Sequence, residues 1–285
     1  MLNTEMDEND WVVLRDNIDQ GTCIPFLGNG FGVNSLPWGQ IFPDSFGCFL
    51  TDKYDLARFA QYMSVQYTPA YVKSVIAKKL KALPPPDFTQ PNEPHRILAS
   101  FKTLPLYMTT NYHDHMLLAL RREPNRSPHY DFCRWGEHVE ANEPGTLSFH
   151  PANPLVFHLH GTVGTPGSLV LTEDDYMDFI FNLARSPDII PQQIRQTMTT
   201  SSLLFLGYNL TDWDFRVVLR SVLPLTPKNP DIHHVSVQLT PRGIQAEEDK
   251  INMLLKKLGV YLSSKSKVKV FWGTEAEFLK KLTEN

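Results

Sequence analysis

Residues 23–38 read "CIPFLGNGFGVNSLPW". An apolar run of strand length, Cys23 to Leu27, passes directly into glycines at alternate positions, Gly28, Gly30 and Gly32, and then into Leu36-Pro37-Trp38. A turn without Cβ atoms can take positive φ and bring backbone N–H groups close to an anion. The spacing is G-x-G-x-G rather than the dinucleotide fingerprint G-x-G-x-x-G, and no Gly-Lys-Ser/Thr follows as a P-loop requires. Phosphate binding and a merely tight turn both remain open, and the position directly after the first strand favours the former.

Working outward, Asp7 to Asn17 has helical spacing through Trp11, Val12 and Leu14 and is closed by Gly21. Pro37 stands where proline starts a helix, with Trp38, Ile41 and Phe42 as its inner face. "YDLARFAQYM" and "YVKSVIAKKLKAL" are amphipathic, and Pro84-Pro85-Pro86 ends the second. Residues 38–99 therefore read as a mostly helical insertion. Strand character returns at Leu104 to Met108, ends in "TTNYHDHM", and yields to a helix through Leu117 to Leu120. Residues 121–153 are rich in Pro, Asn, His and Glu with weak periodicity, and read as an irregular, loop-rich insertion.

Further strands are predicted at "LVFHLHG" from Leu155, "SLVLT" from Ser168, "SLLFLGY" from Ser202, "IHHVSVQL" from Ile232 and "VKVFW" from Val268. Thr172 with Asp175, Thr211 with Asp214 and Thr274 with Glu277 each place a hydroxyl three residues before an acid, a helix-start signature. Continuous apolar strands separated by helices imply an α/β fold, a mainly parallel sheet covered by helices in a single domain over residues 1–285. In such sheets ligands lie beyond the carboxyl ends of the strands. "GNGFG", "TTNYHDH", "HLHG" and "GYNLTD" all fall there.

Composition narrows the function. Over 285 residues, 42% are hydrophobic and 20% charged, as in an ordinary globular protein with a sizeable core. No apolar run approaches membrane-spanning length, and the acidic amino terminus is unlike a secretory signal. Cys23, Cys48 and Cys133 are odd in number and lack C-x-x-C spacing, which argues against a disulfide framework or a zinc knuckle and for a cytoplasmic setting. A net charge of −4 gives no electrostatic case for direct nucleic-acid binding.

Asn111, at a strand end, can both donate and accept, which suits a ribose or a water; a helix cap or Asx-turn is the alternative. His160, before Gly161 at another strand end, can act as a base near neutrality. His158, two residues earlier, is expected on the same face but deeper, in a structural role. His113, His115, His233 and His234 read as structural or solvent-facing. Glu173, Asp174 and Asp175 are accounted for by the helix dipole, and so are Asp212 and Asp214. Asn209 stands at a strand end and can reach a ribose or phosphate. No G-x-S-x-G elbow is present, and no metal is expected.

Together these segments resemble the SIR2-like, sirtuin-related, domain family. "FLGNGFGVNSLPW" is similar to the family's G-A-G-x-S nucleotide loop with its Leu-Pro-x-Trp. "YMTTNYHDHM" is similar to its T-x-N-x-D, "HLHG" to its catalytic His-Gly, and "LLFLGYNLTDWDFR" to its late G-Y-S stretch. The likeness is closest to the NAD-hydrolysing domains of bacterial antiphage systems. It implies a Rossmann-like sheet that takes NAD+ as substrate, without metal, and cleaves it to nicotinamide and ADP-ribose. A protein deacylase and a catalytically silent nucleotide-binding or assembly module are the alternative implications. Asn111 and His160 become the catalytic pair, with Asn111 orienting the nicotinamide ribose or water and His160 acting as base. Gly28, Asn29, Gly30, Phe31, Gly32, Trp38, Thr110, His113, Asp114, Gly207 and Asn209 become the nucleotide-binding set. The family also implies a homo-oligomer and a partner ATPase, Argonaute-like protein or phage-sensing module. Asn29, Gly32, His113 and Asn209 depart from the family's Ala, Ser, Asp and Ser, and the paired zinc cysteines of deacylating sirtuins are missing.

Overall fold

The computed structural model describes residues 6–32, 56–136, 147–208, 213–223, 234–238, 253, 257 and 268–284. Seven strands form one sheet in the order β3-β4-β2-β1-β5-β6-β7. They are β1 Cys23–Leu27, β2 Leu106–Thr109, β3 His129–Phe132, β4 Leu155–His158, β5 Ser202–Leu206, β6 His234–Gln238 and β7 Val268–Trp272. Every neighbouring pair is parallel, with Phe26 opposite Met108 on one side of β1 and opposite Phe205 on the other. Leaving out the edge strand β3, the order is that of the doubly wound dinucleotide-binding sheet, reversing direction at β1.

Alternate strand residues supply two cores. Ile24, Phe26, Leu155, Phe157, Leu203 and Phe205 face helices α6 (Glu173–Arg185), α7 (Gln192–Met198) and α8 (Trp213–Val222). Leu27, Tyr107, Val156, Leu204 and Leu206 face α1 (Glu8–Asp19), α4 (Pro94–Ser100), α5 (His115–Leu120) and α9 (Glu275–Thr283). Burial on both faces explains why these strands read as unbroken apolar runs. Cys23 and Cys133 are packed within these layers, and burial raises both thiols to about 12.

Helices α2 (Leu56–Gln66) and α3 (Pro69–Lys81) pack through Phe59, Met63, Val72 and Ile76 onto Tyr112, Val163, Leu169 and Leu171. They therefore sit over the loops that leave β2 and β4. Asp7, Thr172 and Thr274 cap α1, α6 and α9 in reciprocal capping boxes. Thr211, and the helix start expected at Pro37 and Trp38, lie outside the described residues.

Two expectations need correcting. "SLVLT" forms no strand: residues 166–168 make a 3-10 turn and residues 169–171 run as buried irregular chain. Its apolar character comes from burial, with Leu169 and Leu171 under α2 and α3 and Val170 toward the sheet. Within the stretch read as loop, His129–Phe132 forms the edge strand β3, whose half-exposed mixture of polar and aromatic residues carries no strand period. Among the described residues no helix is long and apolar enough to cross a membrane.

Candidate functional site

The ends of β4, β2, β1 and β5 are contiguous in the sheet, so the segments that follow them leave from one edge; of the last segment, Gly207 and Tyr208 are described. The glycine loop after β1 rests on the end of β5. Gly28 N–H donates to the Leu206 carbonyl at 2.7 Å, Gly30 N–H to the Gly207 carbonyl at 2.9 Å, and Phe31 N–H back to the Gly28 carbonyl at 3.0 Å. In this arrangement these three amides satisfy neighbouring carbonyls. The glycines are needed for close approach. A Cβ on Gly28 would lie 2.6 Å from the Gly207 oxygen, and one on Gly207, at φ +74°, would lie 2.2 Å from the Phe31 nitrogen. Asn29 and Gly30 are exposed at the tip, while Phe31 is fully buried.

The end of β2 is tied to the same loop. Thr109 Oγ1 donates to the Leu27 carbonyl at 3.0 Å and accepts from Asn111 N–H at 2.9 Å. Thr110 N–H donates to the Leu27 carbonyl at 2.9 Å, and its hydroxyl pairs with the Tyr208 hydroxyl at 3.0 Å. The Asn111 side chain, 4% exposed, donates through Nδ2 to the Gly28 carbonyl at 2.8 Å. Asn111 is therefore a cross-strand tie and not a cap for the helix that follows it.

His158 and His160 part company. The chain turns at Leu159, so strand alternation stops and the two rings do not share a face. His158 sits beside Asn111, and its Nδ1 lies 2.9 Å from the Asn111 carbonyl oxygen. His160 points at α6, edge-on to Tyr176 at 5.3 Å and Phe179 at 5.1 Å between ring centres. It is 1% exposed, and neither ring nitrogen has a hydrogen-bond partner. Burial lowers its pKa to about 3, so the ring is neutral near pH 7.

A further group lies beneath the loop. His95 Nδ1 pairs with Glu93 Oε1 at 2.7 Å, and its ring meets Phe31 at 4.7 Å and His115 at 5.8 Å between centres. His113 stacks on His115 at 3.6 Å. A Cβ on Gly32, at φ +66°, would lie 2.3 Å from the His95 ring. Burial, reinforced by the neighbouring histidines, holds His113 well below the usual histidine value, and burial brings His115 down to about 4. The Glu93–His95 pair has no signature in local sequence spacing; only the packing of α4 against the loop reveals it. Asp114 approaches His158, its Oδ1 lying 3.6 Å from Nε2. Among the described residues, no group of three or more His, Cys, Asp or Glu is placed to hold a metal ion. Trp38 and Asn209 lie outside the described residues.

The acidic start of α6 is a docking point as well as a cap. Arg58 reaches Glu173 at 3.8 Å, Gln61 bonds Asp174 at 2.6 Å, and Lys73 Nζ meets the buried Asp175 at 2.7 Å. Asp175 also accepts from the Leu171 and Thr172 amides at 2.9 Å each. Helices α2 and α3 thus hold the helix that carries Tyr176 and Phe179 over His160.

The chain is similar to known proteins. A family model described as the SIR2-like domain matches residues 105–262, more than half of the chain. The NAD(+) hydrolase ThsA of Enterococcus faecium is 24% identical over 225 residues, covering 76% of this chain and 43% of that protein. The chain thus matches less than half the length of this relative. A solved structure titled "Structural Basis for the Mechanism and Regulation of Sir2 Enzymes" aligns over 96% of both chains, at 10% identity and a TM-score of 0.39.

Proposed function

Because the chain belongs to the SIR2-like domain family, we propose that it is an NAD+ glycohydrolase: water replaces nicotinamide at C1′ of the ribose, giving nicotinamide, ADP-ribose and a proton. The observation that carries this reading is His160, a fully buried imidazole with neither nitrogen partnered. Leaving a buried polar group unsatisfied costs about 1–3 kcal/mol, which an apolar residue at that position would avoid. A catalytic role accounts for keeping it.

His160 is neutral at pH 7, and because the burial that lowers its pKa to about 3 also weakens it as a base, accepting a proton from a ribose hydroxyl or from water requires the ring to be uncovered first. Asn111, fixed by its bond to Gly28, orients the ribose or the attacking water. Tyr176 and Phe179 enclose His160 here, so substrate access requires those rings to move, a conformational step ahead of the chemistry. The name of the ThsA relative supports the reaction class. A role in antiphage NAD+ depletion, a homo-oligomeric state, and a partner ATPase, Argonaute-like protein or phage sensor belong to the same proposal and rest on the resemblance.

One observation favours a second reading, a catalytically silent nucleotide-binding module. His113 stands where the resembled family carries a carboxylate. Incubation of the purified chain with NAD+ separates the two, in each oligomeric state and with candidate partners. Release of nicotinamide and ADP-ribose without an acyl peptide supports the hydrolase, and release that requires such a peptide supports a deacylase. Binding without products in every state supports the silent module, and absence of binding removes all three.

A further inference from the structure

His158 is fully buried at the end of β4 and touches two residues of the loop that leaves β2. A carbonyl oxygen only accepts, so the 2.9 Å contact from Nδ1 to the Asn111 carbonyl places a proton on Nδ1. Nε2 then faces Asp114 Oδ1 at 3.6 Å, and neither of these two buried atoms has a hydrogen bond. Val156, the preceding residue on the same face of β4, fills its site with a plain apolar side chain. At His158 the chain accepts the cost of a buried imidazole.

The benefit falls on Asn111. Its N–H is held by Thr109 Oγ1 at 2.9 Å, its C=O by His158 at 2.9 Å, and its carboxamide lies on the Gly28 carbonyl at 2.8 Å. Both ends of the residue are tied, so its side chain has one orientation toward the strand-end crevice. We propose that His158 is a positioning residue: its imidazole, set between Asp114 and the Asn111 carbonyl, orients the Asn111 peptide so that the carboxamide stays on Gly28. Its relevance to turnover rests on the role given to Asn111 above; the geometric part does not.

Three substitutions test it. In His158→Asn the side-chain amide nitrogen takes the place of Nδ1 and keeps the donor to the Asn111 carbonyl. In His158→Gln the amide reaches the place of Nε2 and loses that donor, and His158→Leu loses both. The first readout is the Asn111 side-chain amide resonance of the full chain, assigned by its loss in Asn111→Asp. It is expected to keep its shift and its slow hydrogen exchange in His158→Asn and to lose both in His158→Gln and His158→Leu. The second is NAD+ turnover: kcat falls about 10²-fold in His158→Gln with KM little changed, and stays within about tenfold of the parent in His158→Asn, the scale expected for a misplaced catalytic group.

An unchanged Asn111 amide signal in folded His158→Gln or His158→Leu overturns the proposal. So does equal loss of the signal in the Asn and Gln variants, which a purely space-filling histidine would give. If the parent hydrolyses no NAD+, the functional reading fails while the resonance test still decides the positioning.

Discussion

Asn111 Nδ2 and the Gly28 carbonyl oxygen lie 2.8 Å apart, joining the loop after β2 to the loop after β1 through one buried side chain. Asn111→Asp turns this donor into an acceptor and sets two oxygens against each other. We expect a loss of about 1–3 kcal/mol of stability, the usual cost of an unsatisfied buried group. NAD+ turnover should fall further than the folded fraction does, measured by thermal melting beside product analysis.

Removing the His160 ring takes away the general base, a contribution of about 10²–10⁴-fold in rate. His160→Ala should therefore lose most turnover while retaining much of its NAD+ affinity by calorimetry. Full turnover in the purified variant would exclude His160 from the chemistry.

The same ring makes stability depend on pH. In the unfolded chain a histidine titrates near 6.5, whereas in the folded protein burial lowers His160 to about 3. Between these values the unfolded state binds more protons, so stability is complete above about pH 6.5 and is lost as pH falls toward 3. His113 and His115 are lowered in the same direction and add to the slope. Melting temperatures from pH 7 to pH 4.5 should drop steadily, and His160→Leu should flatten the curve. An identical slope in that variant would contradict the assignment.

Gly207 and Gly30 should separate sharply. Gly207→Ala must hold a side chain at φ +74° with its Cβ 2.2 Å from the Phe31 nitrogen, so the loop cannot keep its place on β5. Gly30→Ala meets the Gly207 oxygen at 3.0 Å and needs only a small shift. We expect Gly207→Ala to lower the melting temperature markedly and Gly30→Ala to lower it slightly, while a bulky residue at Gly30 blocks nucleotide binding at the exposed tip.

Lys73→Met leaves Asp175 as a buried carboxylate without its cation, a change worth about 3–5 kcal/mol in comparable pairs. The loss should be visible by denaturant unfolding. Limited proteolysis should report it first near residues 169–172, whose amides Asp175 also holds.

Strands β1, β2, β4 and β5 were legible in the sequence because burial on both faces makes each a short apolar run ending at a polar cluster. Their adjacency, and hence the meeting of Gly28 with Asn111, followed from the rule that ligand loops gather at carboxyl ends. Four features were not legible. Residues 169–171 are as apolar as a strand because helices cover them, and composition does not distinguish a covered segment from a laddered one. β3 lies at the sheet edge, where one side faces water and the period fades. His95 reaches the glycine loop through tertiary packing alone, and the commitment of the loop amides to β5 depends on a partner nearly 180 residues away in sequence.

Cys23 and Cys133 offer a built-in clock for breathing motions. With both sulfurs sealed in the layers on either side of the sheet, a thiol-reactive dye added to native protein has to wait until that part of the sandwich parts. Once Cys48 has been changed to serine, the labelling rate of each remaining sulfur gives the opening frequency of its own side of the molecule.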